Sequence, residues 1–362
     1  MCQTTAHRHS IFCILPPYIL DSIILNGAPQ ERAHALRTLG IDHSIRTMRA
    51  TQTFLPAVSP QVSGGVPPAL GATPQIQRTI YDAQHSSTLP GEVVRREGAS
   101  PTGDPAVNEA YDGLGATFNF YWQAYQRNSI DNQGLPLLAS VHFEVNYDNA
   151  FWDGQQMVFG DGDGQIFNRF TISLDVIGHE LTHGVTQTDA KLVYHSQSGA
   201  MNESISDVFG SLVKQFALGQ TADQADWLIG AGLFTANVQG VAIRSMKAPG
   251  TAFNDPKLGK DPQPTNMQGY VHTPQDNGGV HINSGIPNHA FYLIATQIGG
   301  KAWEKAGLIW YNTLHDPGLH PNSNFRSFAQ LTAKNADQLF GQGSPEGQAV
   351  RAGWKEVGIK LT

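Results

Sequence analysis

The chain has 362 residues, enough for two domains or for two and an extension, and its 40% hydrophobic content supports ordinary globular cores. Charged residues make up only 15%, and 38 glycines and 21 prolines point to many turns and long connections. A net charge of −7 without any block of lysine or arginine argues against a nucleic-acid partner, and no apolar run approaches the length of a membrane span.

The first apolar run, IFCILPPYIL over 11–20, is cut by Pro16 and Pro17 and closed by Asp21. Those prolines break the helical core that a secretion signal needs, and no clean small-residue cleavage site follows. Export is therefore expected by a route other than a conventional signal peptide, with a cytoplasmic pool of precursor as one consequence. Both cysteines, Cys2 and Cys13, lie in this opening, so the rest of the chain uses neither disulfides nor thiolate ligands. A short helix is expected over 28–40, with Gly40 as its stop. Residues 50–76 carry no charge and five prolines, the composition of a linker.

Residues 77 to about 170 mix glycine, asparagine, aspartate and aromatics with short strand-like runs such as LASVHFEV over 138–145. One helix interrupts them, capped by Asp104 and opened by Pro105, running to about residue 126. GDGDG over 160–164 begins like a calcium loop, but Gln165 and Phe167 follow and no bidentate glutamate closes it, so it reads as a turn. From residue 173 helices dominate: 173–188, 199–218 with Gly219 as stop, then 285–298, 301–315, 324–340 and 344–357. A β-rich half followed by a helical half is α+β organisation, with a cleft expected at the seam.

At that seam stands DVIGHELTHGV, 175–185. His179 and His183 are four apart, so a helix projects both imidazoles from one face, close enough to share one Zn²⁺. Glu180 lies on the edge of that face and can act as general base on water at the metal. A catalytic zinc needs a third protein ligand and an open fourth position. SGAMNESISDVFGSLV, 198–213, offers Glu203 as that ligand, and Asp207, four residues on, can accept the free N–H of a ligating histidine.

HELTH followed by N-E-x-x-S-D resembles the thermolysin-like neutral zinc metalloproteases, the gluzincins. YDNAFWDG (147–154), FGDGDG (159–164), IRSM (243–246) and DNGGVHINSG (276–285) extend the likeness over about residues 77 to 362. The resemblance implies an endopeptidase whose Glu180 takes a proton from water polarised by the zinc and hands it to the departing amine. His281, oriented by Asp276, and Tyr194 would then stabilise the tetrahedral oxygen. Asn149 and Ala150 would hold the peptide backbone beside an edge strand, and Arg244 would bind a substrate carbonyl on the primed side. Val176 and Ile243 would line a pocket for a bulky hydrophobic residue after the scissile bond. An inactive relative that binds peptides in the same cleft is the alternative reading.

Where this family often has a glutamate that binds paired calcium ions, the chain has Lys214, with Leu228 and Ala231 where acidic ligands are expected, and a separate calcium position of the family near Val241 also lacks its acid. A lysine tip donates and cannot ligate calcium, so the double calcium site is expected to be absent and replaced by pairing with Asp175 or Asp226. The front of the chain resembles the short prosegment of the protealysin-like branch, with its Pro-Pro-x-x-Leu element at Pro16, Pro17, Tyr18, Ile19 and Leu20. The implied organisation is an inhibitory prosegment (1–50), a linker with a processing site (51–76), a β-rich catalytic domain including HELTH (77–188) and a helical one (189–362). The prosegment would plug the cleft, with its prolines keeping the plug extended. Cys13 as a thiolate cap on the zinc, or docking on an apolar patch elsewhere, are the other readings of this stretch.

Overall fold

The computed structural model describes residues 12–52 and 74–361. Cys2, and most of the linker in which processing is expected, lie outside them. The described chain opens with a short extended segment, β1 (Phe12–Cys13), and two helices, α1 (Pro17–Asn26) and α2 (Pro29–Gln52). Pro16 is extended (φ −65°, ψ 140°) and Pro17 occupies the first helical turn, where a missing N–H costs nothing. This corrects the expectation that both prolines prolong an extended plug: they start α1, because Ile19, Leu20 and Ile23 bury one face of a helix. Gly40 is also not a stop. The buried stripe of Glu31, Ala35, Thr38 and Asp42 continues past it, and that packing outweighs the ~1 kcal/mol cost of a helical glycine.

Strands β2 (Arg78–Asp82), β3 (Glu92–Arg96), β4 (Leu137–Val141), β5 (Ala150–Trp152) and β6 (Met157–Phe159) join β1 in a sheet ordered β1-β5-β6-β4-β2-β3. β4 runs parallel to β2 and β6, and β1 pairs antiparallel with β5, Phe12 opposite Trp152 and Cys13 opposite Phe151. β4 ends sooner than the alternating pattern predicts, because His142 and Glu144 both adopt φ of 55°. Helix α3 (Pro105–Tyr125) starts at Asp104, whose Oδ1 accepts from the Ala106 N–H at 2.8 Å.

Two long helices form the seam: α4 (Leu174–Asp189), carrying HELTH, and α5 (Ser196–Leu218). Their approach depends on glycine. A Cβ on Gly210 would stand 2.3 Å from the Asp175 carbonyl oxygen and 3.0 Å from the His179 nitrogen, and one on Gly178 would stand 3.0 Å from the Gly210 Cα. After two short hairpins, β7 (Leu228–Ile229) with β8 (Arg244–Ser245) and β9 (Asn254–Asp255) with β10 (Gly259–Lys260), the chain is helical. Its helices are α6 (Asp276–Asn283), α7 (Gly285–Ile298), α8 (Ala306–Leu314), α9 (Phe325–Phe340) and α10 (Pro345–Glu356); α8 begins five residues later than the pattern predicts. One apolar core runs through both halves, from Ile80 and Phe118 through Ile177 and Ile205 to Trp310 and Trp354.

Candidate metal centre and active-site cleft

α4 and α5 are buried along most of their length, so the polar side chains they carry face one another out of water. His179 Nε2 and His183 Nε2 stand 3.0 Å apart, and each lies 3.5 Å from a carboxylate oxygen of Glu203. Ligand atoms bound tetrahedrally at zinc distances are roughly 3.3 Å from one another, so this buried triangle fits one such ion. The outer ring nitrogens are already committed: His179 Nδ1 to Asp207 Oδ1 at 2.8 Å, His183 Nδ1 to Asn202 Oδ1 at 2.9 Å and Ser206 Oγ at 3.0 Å. Such partners fix ring orientation and aim both Nε2 atoms at one point. Burial and the neighbouring His179 push His183 well below its ordinary pKa, keeping the ring in the neutral form that ligates.

Glu180 Oε2 accepts from the backbone N–H of Trp152 in β5 at 3.1 Å, which holds the carboxylate at the sheet edge beside the triangle. On the opposite side, Tyr194 donates to Glu203 Oε1 and lies 3.2 Å from His281 Nε2. The segment before His281 turns through left-handed backbone at Asp276, Asn277, Gly278 and Gly279. A Cβ on Gly278 would come within 2.7 Å of Ser196 Oγ, so glycine is required there both by φ and by space. The turn folds the Asp276 carboxylate back onto His281, 2.6 Å from Nδ1 and 2.8 Å from its backbone N. Burial works to lower the His281 pKa, but Asp276 and Glu203 overcome it and raise it. A doubly protonated ring can be held by Asp276 and still donate from Nε2.

Asp207 serves three neighbours. Besides His179 it takes Arg244 Nε and Nη2, both at 2.8 Å, and Asn288 Nδ2 at 2.8 Å. Burial opposes the Asp207 charge, yet Arg244 and His179 hold its pKa well below the carboxylate range. Arg244 still has Nη1 to spend, and gives it to the carbonyl of Ile14 at 3.0 Å.

The start of the described chain lies across this cleft. The Cys13 carbonyl is 3.2 Å from His281 Nε2, the Ile14 N–H donates to the Ala150 carbonyl at 3.3 Å, and the Leu15 N–H donates to Asn149 Oδ1 at 3.1 Å. Ile14 is fully buried in the apolar cluster that contains Val176 and Ile243. So the extended stretch in the cleft is residues 12–15, and Pro16, Pro17 and Leu20 belong to the helix start behind it, whereas Tyr18 on that helix keeps its buried hydroxyl near Asp261, Arg244 and Asp276 of the cleft. The Cys13 thiol faces the Leu15 carbonyl at 3.7 Å, and the cluster of candidate ligand atoms around His179 does not include it. Asp42 of α2 adds a second grip, accepting from Tyr147 Oη at 2.5 Å and from Asn149 Nδ2 at 3.0 Å.

This geometry agrees with what the chain is similar to. The model of the thermolysin metallopeptidase catalytic domain matches residues 72–187, and that of the thermolysin metallopeptidase α-helical domain matches residues 190–359. The chain belongs to the thermolysin metallopeptidase family. It is 50% identical over 351 residues to an extracellular metalloprotease of Pectobacterium carotovorum subsp. carotovorum, covering 97% of each chain. With protease PrtS of a Photorhabdus strain it shares 49% over 350 residues, 96% of this chain and 92% of that one. The solved precursor of protealysin, a metalloproteinase from Serratia proteamaculans, superposes with a TM-score of 0.85 at 54% identity, covering 96% and 99% of the two chains. This thermolysin-like chain is a zinc-dependent endopeptidase made as a precursor, with a His-His-Glu site for one catalytic zinc.

Several residues that shape the cleft escaped the sequence reading. Asn202 and Ser206 flank Glu203 within NESISD and were legible in principle from their place on the same helix face. Asn288, Asp42 and the Trp152 N–H carry no local signal, because distant elements bring them in.

Proposed function

We propose that the enzyme cleaves peptide bonds on the N-terminal side of bulky hydrophobic residues, and that residues 12–15 hold the precursor latent by lying in the cleft as a substrate does. The observation that carries this reading is the pairing of Cys13–Leu15 with Ala150, Asn149, Arg244 and His281, which uses the backbone donors and acceptors of any extended peptide. A substrate in the same path would set its scissile carbonyl where that of Cys13 lies and its next side chain where Ile14 is buried.

Zinc bound by His179, His183 and Glu203 supplies a Lewis acid that polarises the carbonyl and acidifies water. Glu180 accepts the proton of the attacking water and delivers it to the leaving amine. Tyr194 Oη and His281 Nε2 donate to the oxygen that gains charge, with Asp276 fixing the imidazolium. Arg244 and Asn149 keep the peptide in register, and Val176 and Ile243 shape the pocket after the cleaved bond.

Lys214 Nζ contacts Asp175 Oδ2 at 2.6 Å, Asp226 Oδ1 at 3.0 Å and the Leu228 carbonyl at 2.9 Å, which supports its ammonium standing in for a pair of calcium ions. The names of the Pectobacterium relative and of a Serratia marcescens extracellular minor metalloprotease support an extracellular site of action. The deciding experiment removes residues 1–50 and compares casein hydrolysis with and without Glu180→Gln. The truncated chain should be active and its Glu180→Gln form at least about 10²-fold slower while keeping one zinc. Equal turnover with and without Glu180→Gln would remove Glu180 as the base, and equal hydrolysis by the intact and truncated chains would overturn the latency.

A further inference from the structure

A second group of candidate ligand atoms lies just past the C-terminal ends of the parallel strands β2, β4 and β6: His85 in the β2–β3 connection, His142 just after β4 and Asp161 just after β6. One ligand atom from each falls within 4.8 Å of the others. His142 Nδ1 is 2.9 Å from both Asp161 oxygens, and His85 Nδ1 is 3.6 Å from Asp161 Oδ2. The two loops are tied together by a bond from the His85 N–H to the His142 carbonyl at 2.8 Å, and both histidines hold left-handed backbone, φ 57° and 55°.

The outer nitrogen is arranged as at the catalytic centre. His142 Nε2 lies 2.7 Å from Asp104 Oδ2, as His179 Nδ1 lies 2.8 Å from Asp207. Asp104 is itself immobilised, since its other oxygen caps α3 through the Ala106 N–H. A carboxylate behind a ligating imidazole sets the tautomer and raises the basicity of the inner nitrogen. A plain ion pair accounts for His142 between two aspartates. His85 is held more weakly beside it: its Nδ1 lies 3.4 Å from the Glu144 carbonyl and 3.6 Å from Asp161 Oδ2, with the ring tilted 56° and 5.6 Å between centroids from that of His142.

We propose that His85, His142 and Asp161 form a second metal site, separate from the catalytic one, for a divalent transition ion of the zinc type. Two imidazoles and one carboxylate are zinc-type donors, whereas calcium requires six to eight oxygens. The His85 side chain is 55% exposed, so the remaining coordination positions face solvent and water completes them. On binding, the proton that His142 shares with Asp161 leaves to solvent. Asp161, against the opposing effect of burial, and then Asp104 push the His142 pKa up to about 9, so near pH 7 the metal competes with that proton at a disadvantage of about 10²-fold. All ligands lie in residues 77–188 and stay with the enzyme once the prosegment has gone. The ion clasps the ends of three sheet connections.

The test measures zinc on the full chain carrying Glu180→Gln, which blocks self-digestion and leaves the catalytic ligands in place. After equilibrium dialysis against tens of micromolar Zn²⁺, the parent should hold one equivalent more than its His85→Ala form, by elemental analysis. His179→Ala should lose a different equivalent and keep the His85-dependent one. Saturating zinc should also raise the unfolding temperature of the parent more than that of His85→Ala. His85 is exposed, so this variant folds, and equal zinc content with and without His85 overturns the proposal.

Discussion

Arg244 and Asp207 meet through two parallel 2.8 Å hydrogen bonds at zero solvent exposure, and this pair joins the metal ligand His179 to the arginine that holds the peptide in the cleft. If Arg244 grips substrate as proposed, zinc affinity and substrate grip share one carboxylate. Asp207→Asn removes the charge that orients His179, and loss of such a partner typically costs about 10–100-fold in metal affinity. It also leaves a buried guanidinium uncompensated, a loss of about 3–5 kcal/mol for a broken buried pair. Competition with a chromogenic chelator should show the weaker zinc binding, and KM should rise together with it. Weakened zinc binding with unchanged KM would mean the two functions are not coupled here.

The closeness of α4 and α5 makes a second expectation. At Gly210 any side chain meets the backbone of the facing helix, 2.3 Å from the Asp175 oxygen, and backbone cannot swing aside as a side-chain tip can. Gly210→Ala should force the helices apart and destabilise the fold by about 1–3 kcal/mol. The same displacement pulls Glu203 from the histidines, so zinc should dissociate faster from the variant in stopped-flow exchange with a chelator. Gly219→Ala, at a C-cap with no neighbour within 4 Å, should cost stability through its φ of 65° and leave the zinc off-rate unchanged.

The zinc ligands were legible because each pair is local: four residues on one helix place His179 beside His183, and Glu203 beside Asp207. The outer partners were only half legible. Asn288 reaches Asp207 across 81 residues and Asp42 reaches Asn149 across 107, contacts that exist only once separate elements have packed. Pro16-Pro17 failed for another reason. Proline at a first helical turn has the same local chemistry as proline in an extended segment, and only the burial of Ile19, Leu20 and Ile23 decides between them. Gly40 was misread in the same way, since a tertiary stripe at 31, 35, 38 and 42 outweighs a local breaker.

Lys214 carries a prediction about calcium. Its ammonium sits against Asp175, whose side chain is 1% exposed, and the pairing with Asp175 and Asp226 raises the lysine pKa although burial acts to lower it. A raised lysine pKa gives stability that is complete below the ordinary value of about 10.5 and fades as pH climbs through the folded value, so the pair is intact at neutral pH. Lys214→Ala should cost about 3–5 kcal/mol by stranding the buried carboxylate. Lys214→Glu should unfold at lower temperature in chelator and recover with millimolar calcium, whereas the parent, with zinc restored, should melt at one temperature with or without calcium. A calcium-dependent melting temperature in the parent would overturn the substitution of ion pair for ion.

The grip of the prosegment is tested at Asp42. Its two oxygens take Tyr147 Oη and Asn149 Nδ2, and it stands 1% exposed where α2 meets the start of β5, the strand paired with Phe12–Cys13. Hydrogen bonds to a charged group are worth about 1.5–3 kcal/mol each, so Asp42→Ala should loosen α2 by enough to raise the rate of activation at least about 10-fold. Arg37→Ala, which removes an exposed pair with Glu144 at 2.6 Å, should change that rate by less than a few-fold, as surface pairs are worth about 0–1 kcal/mol. The measurement is the lag before casein hydrolysis by the purified full chain, with the new N-terminus mapped by mass. Should the Asp42→Ala lag match that of the parent, latency rests on residues 12–15 alone.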